Sequence, residues 1–127
     1  KANKQFVIHI VDETTVVEIN KTAANLPANE SEIDTTSLNL VESTIVQVPA
    51  VKECKIRFEC ELVDALELGE NEAVGCDLLI GRVVAYHINE DVYKDGKIDP
   101  DKLQAISRLA GNDYAKIGDI FTIQRPQ

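Results

Sequence analysis

This sequence has no long apolar run, no paired cysteines and no familiar catalytic motif, and each absence removes a class of protein. No stretch approaches the roughly 18 apolar residues that a membrane-spanning helix needs. No basic segment leads into an apolar one near Lys1, so no secretory leader is read there. Glycine and proline number only 6 and 4 in 127 residues, against a hydrophobic share of 44%, which is globular rather than disordered composition. Basic residues are outnumbered, with Lys+Arg at 13 and Asp+Glu at 22, for a net charge of −9. Such a surface repels nucleic acid and anionic lipid, and neither nucleic acid nor a membrane is expected as a partner.

The 3 cysteines, Cys54, Cys60 and Cys76, do not make a disulfide framework. On one extended strand Cys54 and Cys60 stand roughly 20 Å apart, beyond bridging reach. No Cys/His spacing suits zinc, so no metal site is expected. Reduced thiols point to a cytoplasmic protein. Also missing are a Gly-x-Ser-x-Gly elbow, a Walker loop and a Gly-x-Gly-x-x-Gly fingerprint. The 2 histidines lie far apart with no nucleophile motif nearby, so no catalytic triad is read.

What remains reads as one domain over residues 1–127, mainly strand and loop. Phe6 to Val11 is apolar on both faces and is expected as a central strand. His9 sits in it on the face of Val7 and Val11, as a core or rim histidine. Asp12 is expected to N-cap a helix running to about Ala24, with Val16, Ile19, Asn20 and Ala23 at helical spacing. Its Thr14-Thr15-Val16-Val17 run is poor in helix propensity, so packing must hold it. Asn25 to Leu38 is a long polar loop around Pro27, either a binding loop or a solvated connector.

Glu42 to Val48 is expected as a short strand ended by Pro49. From Ile56 to Leu62 the chain alternates, with Ile56, Phe58, Cys60 and Leu62 inward and Arg57, Glu59 and Glu61 outward. One wet face favours antiparallel pairing. The acidic run from Glu59 to Glu72 reads as a solvated edge, and Gly69-Glu70-Asn71-Glu72 as a turn. Asp77 to Ile88 is a second long strand, in which Gly81 marks a bulge or a close backbone neighbour. Lys94-Asp95-Gly96-Lys97 is a turn. Asp99 and Pro100 start a short helix to about Ile106, and the last strand is expected over Ile120 to Gln124.

The segment Ser107 to Ala115 gathers the candidate ligand groups. Arg108 offers a planar fork of donors for phosphate or carboxylate. Gly111 permits backbone angles closed to other residues. Tyr114 brings a flat face with a hydroxyl on its edge. The plainer alternative is a helix C-capped by Gly111 followed by a surface tyrosine, with Arg108 paired to a carboxylate.

Further along the same lines, the order FVIHIVDE, NKTAANLP, SEID, VPAVKECKIRFECELVDALELG, CDLLIGRVVAYHINEDVYKDGKIDPDKL and ISRLAGNDYAKIGDIFTIQRP resembles the flavin reductase-like family of FMN-binding split barrels. The parts IGRVV...H, DGKIDP and SRLAGNDYA carry most of the likeness. The resemblance implies an antiparallel, mainly β split barrel with one or two short helices. The chain would match the C-terminal two-thirds of that domain, with the first strands and a phosphate-holding threonine/arginine/asparagine motif upstream of Lys1. It also implies FMN as cofactor, NAD(P)H as hydride donor, and a homodimer with the flavin at the subunit boundary. Partners would be a monooxygenase or another electron acceptor. The other readings are a flavoredoxin-like electron carrier without NAD(P)H activity and a cofactor-free interaction domain. By the same resemblance Asn20, Thr22 and the Pro27 loop lie near the flavin cleft or dimer boundary, and Arg108, Gly111 and Tyr114 shape that cleft. Asn20 and Thr22 can equally be the end of a helix.

Overall fold

The computed structural model describes residues 4–23, 36–69 and 76–126. The Pro27 loop, the tip around Glu70 to Glu72 and the side chains of Ala23 and Cys76 lie outside that description. The chain divides into two compact units, Lys1–Ile10 with Leu38–Asn89, and Val11–Ser37 with Glu90–Gln127.

The first unit is built on a three-stranded antiparallel sheet in the order β1-β4-β5, formed by β1 (Gln5–His9), β4 (Ile56–Leu68) and β5 (Cys76–Ile88). The period-2 alternation of Ile56 to Leu62 and the apolar run of Asp77 to Ile88 both become strand, as their β-branched content favours. The expected position of the first strand is corrected. It is apolar on both faces, yet in the described sheet it pairs on one side only, with β4. Gly81 faces Leu62 beside a register shift, and a Cβ there would collide with the Phe6 ring. The register shift is the expected bulge, while the close neighbour is a side chain and not backbone.

The expected strand from Glu42 to Val48 is also corrected. Two-residue strands β2 (Leu40–Val41) and β3 (Ala50–Val51) pair with each other, and the residues between them form an irregular loop. That loop turns its backbone donors to a side chain instead of a neighbouring strand. Thr44, Ile45 and Val46 donate their N–H groups to the carboxylate of Glu59. Glu59 is therefore not on a solvated edge; it is fully buried. The same unit also buries the apolar residues Val46, Ala50, Cys54, Ile56 and Cys60.

In the second unit α1 spans Val16–Asn20, followed by a 3₁₀ turn Lys21–Ala23, shorter at its start than expected. Asp12 is held by a bridge to Ala105, and Glu13 N–H donates to the Gln104 carbonyl, so both residues are drawn out of the helix. The Asp12 carboxylate still organises the entry, accepting from the Thr14 N–H and hydroxyl at 2.8 and 2.6 Å. A short turn Glu90–Val92 leads to the hairpin β6 (Tyr93–Lys94) and β7 (Lys97–Ile98). Asp95 and Gly96 both have positive φ there, the geometry of a two-residue hairpin turn.

Asp99 caps α2 (Pro100–Leu103) by accepting the Asp101 N–H at 3.0 Å, with Pro100 at the first helical position. The helix stops at Leu103, short of Ile106, because Gln104 takes a left-handed conformation. The residues that follow form a hairpin of β8 (Ile106–Arg108) and β9 (Tyr114–Lys116). The expected strand from Ile120 to Gln124 is not formed: this stretch has no ladder partner among the described residues, and Ile120, Phe121 and Ile123 are exposed.

Candidate functional site

Three of the five residues singled out from sequence line one recess of the second unit. Arg108 and Tyr114 are direct partners across the β8–β9 hairpin, which places their side chains on the same face. Gly111 turns the hairpin with φ of +67°. The Leu109 N–H donates to the Asp113 carbonyl at 2.8 Å to close the turn. A Cβ at Gly111 would meet open space, so its role here is the left-handed turn and not a close approach to a neighbour.

Asn20 ends α1, and its side-chain oxygen accepts the Tyr114 hydroxyl at 2.8 Å. Val16, Asn20, Ile106 and Tyr114 line two recesses of about 290 and 220 Å³, with Val17 in the first and Arg108 and Ile19 in the second. The walls are aliphatic and the polar groups few, the usual composition of a small-molecule pocket. Arg108 contributes an exposed guanidinium, one nitrogen of which donates to the Gly111 carbonyl at 3.3 Å. Thr22 does not join them. Its hydroxyl donates back to the Ile19 carbonyl at 2.6 Å, as a residue closing a helix does.

Sequence reasoning did not single out Val17 and Ile106 as pocket walls, nor the buried polar cluster of the sheet unit. Glu59 Oε1 accepts from Ile45 and Val46 at 2.7 and 3.1 Å, and Oε2 from Thr44 at 2.7 Å. His87 Nε2 lies 2.5 Å from Oε2. Burial pushes the Glu59 pKa up, but the Thr44 and Ile45 N–H groups, the His87 ring and the Val46 N–H outweigh it and hold the pKa at about 2. His9 Nε2 accepts the Val51 N–H at 2.9 Å. Burial, and then the charge of Arg57, lowers its pKa. It is a structural histidine, the role expected of it. The one signal in the sequence was the strand period placing Arg57 and Glu59 on a common face; that the face is covered depends on a loop that strand periodicity does not reveal.

Residues 1–102 match the family described as the flavin reductase like domain. This chain belongs to the flavin reductase-like family. A crystal structure of nitrilotriacetate monooxygenase component B from Bacillus cereus is 51% identical, with a TM-score of 0.91, over 96% of this chain and 61% of that one. The uncharacterized protein YwrF of Bacillus subtilis is 48% identical over 98% of this chain and 62% of its own length. An FMN-binding domain of a flavin reductase-like enzyme from Shewanella baltica shares the fold, at TM-score 0.73 and 16% identity, covering 96% of this chain and 64% of that domain. The chain thus spans about three-fifths of the relatives it matches. The flavin reductase-like fold is mainly antiparallel β with two short helices here, as expected from sequence, and no helix among the described residues is long and apolar enough to cross a membrane.

Proposed function

We propose that the natural protein is an FMN-binding flavin reductase that moves hydride from NAD(P)H to flavin, and that Asn20, Arg108 and Tyr114 contact the cofactor. The observation that carries this reading is the 51% identity and 0.91 TM-score to a monooxygenase component B. A component B supposes a second component, so a partner monooxygenase is the proposed consumer of reduced flavin. We also propose a homodimer. Val63, Leu66, Leu68, Leu78, Leu79, Ile80 and Val83 on β4 and β5 are each about half exposed, apolar surface of the kind that a second copy can cover.

The residues present fit part of such a cofactor. Ligand pockets are typically about 300–1,000 Å³, so recesses of about 290 and 220 Å³ hold one edge of a flavin and not the whole molecule. Hydride chemistry belongs to the flavin ring when it is bound. The chain's own residues supply placement. Val16, Val17 and Ile106 keep water from a planar ring edge. The Asn20 amide and Tyr114 hydroxyl, already paired, present a fixed polar edge. Arg108 supplies positive charge for an anionic group.

The test is made on the natural full-length protein. It should be yellow as purified, and it should bleach when NADH or NADPH is added without air. Bleaching by dithionite but by neither nucleotide would replace the reductase with an electron carrier. A protein that stays colourless and binds no added FMN would leave the interaction domain. Light scattering gives the assembly: a mass of one chain for well-folded protein removes the homodimer.

A further inference from the structure

The Thr15 hydroxyl bonds backward, away from the helix that Thr15 begins. This residue is the N-cap of α1, where a threonine side chain ordinarily accepts an N–H of the first turn. Here it makes no such bond. Thr15 is buried, and its Oγ1 accepts the N–H of Asp12 at 3.1 Å. The hydroxyl proton faces the Asp12 carbonyl and carboxylate oxygens, each at 3.4 Å. Asp12 in turn is fixed to the chain that leads into β8. It bridges Ala105, and on either side of it the Val11 carbonyl accepts the Ile106 N–H and the Glu13 N–H donates to the Gln104 carbonyl. From Thr15 the connection runs on along the helix, where the Ile19 N–H donates to the Thr15 carbonyl at 2.9 Å. One residue later Asn20 accepts the Tyr114 hydroxyl, which returns to the same hairpin. The circuit from β8 through Asp12, Thr15, α1 and Asn20 to Tyr114 is closed, and both recesses are lined from its two sides.

We infer that Thr15 is a positioning residue for this recess, holding α1 at the distance from the hairpin at which Asn20 meets Tyr114. Intrinsic propensity does not hold the helix there: 5 residues that include Val16, Val17 and Ile19 make a marginal one. A buried hydrogen bond sets position better than apolar contact, because it has a preferred length and direction and the hydrophobic effect has neither. An ordinary N-cap bond would tie Thr15 to its own helix. The bond to Asp12 ties that helix to the chain that builds the opposite wall. For its bearing on a cofactor, this role rests on the reading of the recess as the seat of a flavin edge. Thr15 itself does not line the recesses, so its effect on a ligand is carried by Val16, Ile19 and Asn20.

The test uses the natural full-length protein and two variants. Thr15→Val keeps the β-branched shape and removes the hydroxyl; Thr15→Ser keeps the hydroxyl. The first readout needs no flavin: the side-chain amide resonances of Asn20, with Tyr114→Phe as the reference for a broken contact. In Thr15→Val they should move to the positions they take in Tyr114→Phe, and in Thr15→Ser they should stay at the wild-type positions. FMN affinity should follow, falling about tenfold in Thr15→Val and by less than about twofold in Thr15→Ser. A residue that only stabilises the fold would lower the unfolding midpoint in Thr15→Val and leave the Asn20 resonances in place; that result overturns the inference. Should Thr15→Val not fold, Thr15→Ser decides. Asn20 resonances displaced there would show that the methyl group sets the helix, which overturns the role of the hydroxyl, and unmoved resonances support it. Asn20 resonances that move in Thr15→Val while FMN affinity holds would support the positioning role and remove the flavin contact. Resonances that stay in place leave the flavin proposal to its own test of colour and bleaching.

Discussion

Two polar arrangements, one in each unit, are built on opposite plans. In the sheet unit Glu59 is fully buried and its carboxylate takes four partners. In the hairpin unit Asn20 and Tyr114 share one hydrogen bond at an exposed recess with aliphatic walls. A buried charge must be fully partnered or it destabilises the fold by several kcal/mol. An exposed pair carries little stability and keeps its remaining valences for something else. The first plan holds a loop in place, and the second suits a ligand.

The largest expected effect follows from the sealed arrangement. Glu59→Gln puts an amide donor where one carboxylate oxygen had received N–H groups, leaving buried donors facing a donor. Urea unfolding should show a loss of about 3 kcal/mol. A loss below about 0.5 kcal/mol would mean that the loop from Thr44 to Val46 does not depend on the carboxylate, and the contrast would collapse.

Acid should act on the same group. The folded pKa of Glu59, about 2, lies below its ordinary 4.5. The stability it contributes is therefore present above pH 4.5 and is lost as pH falls toward 2. His9 is also depressed, from 6.5, because the fold holds it neutral. Its contribution is present above pH 6.5 and declines as pH falls below that value. In Glu59→Gln the decline below pH 4.5 should flatten, while the part owed to His9, Glu18 and Glu53 persists. Unfolding free energies measured from pH 7 to 3 check this, and parallel curves for the two proteins would count against it.

The reasons some of this was legible in the sequence and some was not are physical. The Asp99–Pro100 helix start and the Asp95-Gly96 turn were readable because each is written in the local chemistry of two or three residues. The long strands were readable from period 2 and β-branched content. Glu59 was not, because its burial depends on N–H groups 13 to 15 residues away in a loop that looked like a strand. The hairpin from Ile106 to Lys116 was not read as strand, and a helix end stood as its plainer alternative, because a glycine with positive φ serves both structures. Asn20 and Tyr114 are 94 residues apart, and no local pattern joins them. Their pairing as a candidate site came from the family resemblance alone.

Arg108→Ala probes the open arrangement. Stability should barely move, since the guanidinium is exposed and reaches only the Gly111 carbonyl at 3.3 Å. If it meets an anionic group of FMN or nicotinamide, affinity should fall by about 1.5–3 kcal/mol, or roughly 10- to 150-fold. Fluorescence titration of FMN into apoprotein measures this directly. Equal affinities for both proteins would make Arg108 a surface residue of the hairpin turn and take it out of the proposed site.

The smallest effect is expected at Tyr114. Tyr114→Phe removes the hydroxyl that donates to Asn20 but keeps the aromatic ring in the recess. At an exposed site, breaking one neutral hydrogen bond should lower stability by about 0.5 kcal/mol or less. Flavin affinity should change less than in Arg108→Ala, since stacking survives the loss of the hydroxyl. Asn20→Ala should match Tyr114→Phe in size, and the double variant should cost little more than either alone, because both remove one shared bond. A double-mutant cycle in unfolding free energy and in FMN affinity reads both quantities. Additive losses in stability would show that the bond at 2.8 Å contributes nothing as a pair. A tenfold loss of FMN affinity in Tyr114→Phe alone would instead assign the hydroxyl a direct role with the cofactor and move Tyr114 ahead of Arg108 in the proposed site.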